Sequence, residues 1–130
     1  MKIILALIGC FAATQASAQQ SACANPITQL QINNCAHEMW MAADGDLNAD
    51  YKYARFFLKA VDSDLPIDSQ GGAKALLLAQ RAWIIYRDQS CIAESAIYTG
   101  GSLRPLIVLG CKERLTRARS EDLRRIFEEN

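Results

Sequence analysis

Asp44, Asp46, Asn48 and Asp50 alternate along the chain, in the order of the first oxygen ligands of an EF-hand calcium loop. The loop then fails. Ala49 stands where the sharp turn demands glycine, and Arg55 stands where a bidentate glutamate should close the shell. Calcium coordination is therefore not expected. His37 is the sole histidine, and Cys35, two residues before it, would project about 200° away on a helix, so the two do not converge on a zinc ion. Ser102 follows Gly100 and Gly101, but the strand-turn-helix elbow that exposes a nucleophilic serine is missing, and the segment reads as a turn. Glycoside hydrolysis would need two carboxylates about 5 to 9.5 Å apart around a sugar-sized cleft, for which a small helical domain has little volume. No catalytic residue, metal or cofactor is expected, and the chain reads as a non-enzyme.

The polar residues with the most to say share helix faces with apolar ones. Asp44, Asn48 and Tyr51 are linked by steps of four and three, and Gln80, Arg87 and Cys91 by seven and four. A charge near a core must be paired or suffer a large desolvation cost. Arg87 is thus expected to reach Asp44, with Asn48 or Gln80 completing the hydrogen bonds, as a polar core that fixes helix register. Trp40 and Trp83 lie on apolar faces and are expected to pack there.

The elements that would position these groups are helical. Ala36, Trp40, Ala43, Leu47, Tyr51, Ala54, Leu58 and Val61 step by three or four and trace one stripe over more than seven turns, with Gly45 as the weak point where a bend is allowed. Asp62-Ser63-Asp64-Leu65-Pro66 ends this first helix. A second runs from about Ala73 to Ala96, with Leu76, Ala79, Trp83, Tyr86 and Ala93 expected on its packed side. Thr99-Gly100-Gly101-Ser102 is a turn by composition, and Arg104-Pro105 leads into a third helix ending near Phe127. The run Leu106 to Leu109 has β-branched content, yet a lone strand would have no partner, so it is assigned to that helix. The expected fold is all-α, a small bundle of three main helices.

Residues 1–18 read as a cleaved export signal: Lys2, an apolar run from Ile3 to Ala13, and the small-x-small pattern Ala16-Ser17-Ala18. Leu7-Ile8-Gly9-Cys10 also spells a lipoprotein box, but only Lys2 and seven apolar residues precede the cysteine, so lipid anchoring through Cys10 is not expected. The apolar run is shorter than the roughly 20 residues of a membrane span. Residues 19–130 then form one domain of 112 residues holding four of the five cysteines, Cys23, Cys35, Cys91 and Cys111, an even set suited to an oxidising compartment. Without Lys2 the balance is thirteen bases against fourteen acids, which argues against nucleic acid or an anionic membrane as partner. Glu38 to Asp68 carries seven acids and three bases, whereas Arg104 to Asn130 carries seven bases and five acids.

Taken in order, Cys23, Asn33-Asn34-Cys35-Ala36, Ala43-Asp44 with Leu47-Asn48 and Tyr51, Ala79-Gln80-Arg81-Ala82-Trp83-Ile84 with Tyr86-Arg87-Asp88 and Cys91, Gly100-Gly101-Ser102, Cys111, Thr116 and Arg119 resemble the lysozyme inhibitor LprI-like N-terminal domain family. The likeness spans nearly all of residues 19–130. It implies an exported bacterial helical domain, from a family named for lysozyme inhibition. Of the three possible connectivities, Cys23 to Cys35 would clamp the leading segment onto the first helix, and Cys91 to Cys111 would pin the turn between the second and third; this pairing is preferred. The resemblance implies a periplasmic or secreted protein that blocks a cell-wall hydrolase by protein–protein contact. Lysozymes are typically basic, so the acidic first half would attract one, and the stapled turn Gly100, Gly101, Ser102, Leu103 and Arg104 is the candidate occluding element. The rival reading is an envelope structural or interaction module, for example one that neutralises a toxin, with no lysozyme activity.

Overall fold

A computed structural model describes residues 23–128. The proposed leader, with Cys10, lies outside them. Three helices carry the chain: α1 (Gln29–Asp64), α2 (Gly72–Glu94) and α3 (Arg104–Glu128), with short 3-10 turns at Ile67–Ser69 and Ala96–Tyr98 between them. No strand occurs among the described residues, and Leu106 to Leu109 is helical. The fold is an all-α bundle closed by two disulfides, Cys23–Cys35 and Cys91–Cys111.

α1 starts at a reciprocal cap. The Thr28 hydroxyl accepts from the Gln31 amide N–H at 3.3 Å, while Gln31 Oε1 accepts from the Thr28 N–H at 2.9 Å. The helix then runs unbroken through Gly45 for 36 residues, about 54 Å at 1.5 Å per residue. It stops at Leu65, ahead of Pro66. The Asp62 carboxylate turns back to accept the N–H groups of Gly71, Gly72 and Ala73 at 3.0, 2.9 and 3.0 Å, the orphan donors that open α2. Gly71 holds φ +142° there, a conformation side chains rarely adopt. Those three hydrogen bonds stabilise the ionised carboxylate and lower its pKa from the ordinary 3.8.

Contacts between the helices set their directions. Trp40 meets Lys112, Asp50 meets Ser120 and Arg124, and Tyr53 meets Phe127, so α1 and α3 run parallel. Arg87 meets Asp44 and Gln80 meets Arg119, so α2 runs antiparallel to both. The most extensive packing joins α1 to α3, with α2 lying more lightly across the pair. The core is modest. Leu47, Ala54, Leu76 and Leu123 form its centre, flanked by Tyr51, Leu58, Trp83, Ile126 and Phe127.

On α1 the buried positions Ala36, Ala43, Leu47 and Ala54 fall on the expected stripe, while Val61, at its end, is exposed. On α2 the packed side differs from the expected one. Ala79, Tyr86 and Ala93 face out, and the inward row is Ala73, Leu76, Gln80, half-buried Trp83, Arg87 and Cys91. The face is rotated because its polar members have partners on α1 and α3, whereas Tyr86 can be left in water without leaving a buried group unsatisfied.

Candidate functional site

The first polar cluster lies where α2 crosses the middle of α1. Arg87 is buried, with its Nη1 donating to Asp44 Oδ1 at 3.3 Å and its Nε to Asp88 Oδ1 at 2.9 Å. The guanidinium carbon stands 5.1 Å from the centre of the Trp83 ring and 5.6 Å from that of Trp40, within reach of a cation–π attraction. Asn48 Nδ2 donates to the other Asp44 oxygen at 2.9 Å. Lys112, from α3, pairs with Asp88 at 3.4 Å and sits 4.7 Å from the Trp40 ring. Burial opposes ionisation of Asp88, but the hydrogen bond and charge of Arg87, joined by Lys112, outweigh it and lower its pKa from the ordinary 3.8. Asp44, Asn48 and Arg87 thus meet. Gln80 does not join them; its Oε1 accepts from Arg119 Nε at 3.1 Å, about two turns away along α2.

A second polar cluster had no counterpart in the motif reading. Asp50 Oδ2 accepts from Ser120 Oγ at 2.6 Å and from Arg124 Nη1 at 2.9 Å, tying α1 to α3 beside Leu47. Asp50 sits three residues after Leu47 and four before Ala54, so its place on the packed stripe was the available signal. Asp44, Asp50 and Asp62 are all engaged inside the fold, which leaves Asp46, Asp64 and Asp68 as the exposed aspartates of the acidic half. Three of the seven acids from Glu38 to Asp68 are thus engaged in packing the helices, and the other four, Glu38 included, are exposed.

At the far end of α2 the Cys91–Cys111 bridge, with both sulfurs buried, ties the last turn of α2 to α3 across a Cα–Cα distance of 5.5 Å. Between them the chain makes a hydrogen-bonded turn. Gly101 N–H donates to Tyr98 O at 3.0 Å, Arg104 N–H to Gly101 O at 3.3 Å, and Thr99 Oγ1 to Ala96 O at 2.7 Å. Gly100 adopts φ +83°, the left-handed region. Thr99, Gly100, Gly101, Ser102 and Leu103 are exposed, and Arg104 Nε approaches the buried Ser95 hydroxyl at 3.4 Å. Beside them Gly101, Arg104, Pro105, Val108 and Leu109 line an open hollow of about 430 Å³. Among the described residues no group of three metal-ligating side chains converges.

Comparison with known proteins adds a decisive match: the family model for lysozyme inhibitor LprI covers residues 12–123. The chain belongs to the LprI family. Among its curated relatives, this LprI-family chain is 37% identical over 125 residues to an uncharacterised protein of Rhizobium meliloti (strain 1021), covering 94% of this chain and 90% of that one. No solved structure matches it. Within the described residues no helix is long and apolar enough to cross a membrane. Together with membership of the family, the two disulfides support an extracytoplasmic protein.

Proposed function

We propose that this protein is exported after cleavage of residues 1–18 and blocks a lysozyme-type cell-wall hydrolase by direct contact, with the Gly100–Arg104 turn entering the cleft. The observation that carries the reading is the rigid tip. A turn held by its own hydrogen bonds and by the Cys91–Cys111 bridge loses little conformational freedom on docking, which lowers the cost of binding. Its small residues suit a narrow cleft. Arg104 places a positive charge at the edge of the tip, where hydrolase carboxylates would meet it, and the adjacent hollow would receive an apolar side chain of the partner. The four exposed acids between Glu38 and Asp68 would add a longer-range attraction to a basic hydrolase.

Replacing Gly101-Ser102-Leu103 with a bulky charged tripeptide tests the assignment. The variant should keep its helicity and both disulfides yet lose inhibition of bacterial cell-wall lysis. Unchanged inhibition would clear the turn of that role, and absence of inhibition in the parent protein would favour an envelope interaction module without lysozyme activity.

A further inference from the structure

α2 carries large apolar residues on its outer side as well as on its inner one. Its inner row packs on α1 and α3. On the outer side Leu78, Ile85 and Ile92 are 55%, 66% and 47% exposed, and Ala75, Ala82 and Gln89 between them are exposed too. These positions, 75, 78, 82, 85, 89 and 92, step by three and four in strict alternation, the repeat of a coiled-coil seam.

We infer that this seam takes a second copy of the same helix, laid antiparallel about a twofold axis; the inference stands apart from the inhibitor reading and does not depend on it. Size complementarity selects the direction. Antiparallel pairing sets Ala75 against the second copy's Ile92, Ala82 against its Ile85, and Leu78 against its Gln89, whose methylene stem can cover the leucine while its amide reaches the rim. Parallel pairing would instead stack Ala82 on Ala82 and Ile85 on Ile85, alternating voids with crowded layers. Charge selects the same direction. Lys74, Arg81 and Asp88 flank the seam on one side, and Ala79, Tyr86 and Ala93 on the other. Antiparallel packing brings each flank against itself, so Arg81 meets the second copy's Asp88 twice across the axis, while parallel packing would leave Arg81 opposite alanine and tyrosine. Asp88 keeps 37% of its side chain exposed beside Arg87 and Lys112, so it can accept this further donor.

The seam is about 27 Å long and, one helix wide, covers roughly 300 Å² per copy. That is below the usual range for tight complexes, so the dimer is reversible and depends on concentration. Because each exposed turn follows the C-terminal end of its own α2, the two turns lie at opposite ends of the pair and both stay open to partners.

Sedimentation equilibrium of the oxidised protein from roughly 5 to 500 µM tests this. Wild type should move from monomer to dimer across that range. Ile85→Glu and Ala82→Lys, both at exposed positions, should each weaken self-association about 100-fold by setting an unpaired charge against an apolar neighbour. Mixed together, they should recover a heterodimer within about 10-fold of wild-type affinity, because the antiparallel layer alone sets residue 82 of one copy against residue 85 of the other. Circular dichroism and non-reduced mass confirm that each variant keeps its fold and bridges. A wild type that stays monomeric throughout, a dimer that survives Ile85→Glu, or single variants that fail to recover on mixing would each overturn the inference.

Discussion

Replacing both Cys91 and Cys111 with alanine should remove a large part of the stability of this bundle. The bridge spans a sequence separation of 20, and closing a loop of that size restricts the unfolded chain by about 3 kcal/mol at 25 °C. Both cysteines are buried, at 0% and 2% exposure, so loss of the sulfur atoms adds about 1 kcal/mol of lost packing. The core has little to offset this, since its large, fully packed members are Leu47, Leu76 and Leu123 and the rest are mainly alanines. Against the 5 to 15 kcal/mol typical of folded domains, a loss of about 4 is severe. It corresponds to a fall in melting temperature of roughly 15 to 20 °C for a domain of this size. Urea denaturation followed by far-UV circular dichroism reads it directly. Removing Cys23–Cys35 makes the internal control: its separation of 12 lowers the entropic contribution by about 0.5 kcal/mol, and it holds a leading segment rather than a helix–helix junction. A Cys91/Cys111 variant that unfolds at the same denaturant concentration as the parent would refute the reasoning, because the bridge would then constrain nothing that the packing does not already hold.

The Asp62 cap makes stability depend on pH. Its pKa is lowered in the fold, so its contribution is complete above the unfolded value of 3.8 and is lost as pH falls through the folded one. Asp62→Asn should therefore be less stable than the parent near neutrality, with the gap closing below about pH 4; a gap that stays constant with pH would remove the cap from the account. Asp44→Ala, Arg87→Ala and the double variant should show a coupling of about 1 kcal/mol, modest because Asp44 is partly exposed and Arg87 keeps Asp88 and two aromatic rings. Additive losses would mean that the 3.3 Å contact contributes nothing to folding.

How legible each part was depended on whether apolar spacing or pairing determined it. The stripe through Ala43, Leu47 and Ala54 was readable because small and branched apolar residues recur at helical steps, and of the three possible cysteine pairings the preferred one, Cys23 to Cys35 and Cys91 to Cys111, is the one formed. The packed face of α2 differs from the expected one at Ala79 and Tyr86, which are exposed. Their apolar character fits a core as well as a surface, while Gln80 and Arg87 turn inward only because Arg119, Asp44, Asp88 and two tryptophans await them. Of these partners Asp44 is expected from the spacing along the two helices, whereas Arg119 as the partner of Gln80 becomes visible only in three dimensions. In the sequence Asp50 fits a calcium-ligand spacing and Asp62 a helix stop, whereas in the fold each serves residues distant in sequence or across a turn. The turn at Gly100–Arg104 was evident from its glycines, and the Cys91–Cys111 bridge encloses it.

The most direct test of the central claim is the clearing of a bacterial cell-wall suspension by lysozyme in the presence of the purified, oxidised protein. The account predicts that lysis slows in proportion to inhibitor added, that reduction of the disulfides restores it, and that the turn replacement fails to slow it. Full-rate lysis at a large molar excess of correctly bridged protein, across lysozymes of different types, would contradict it.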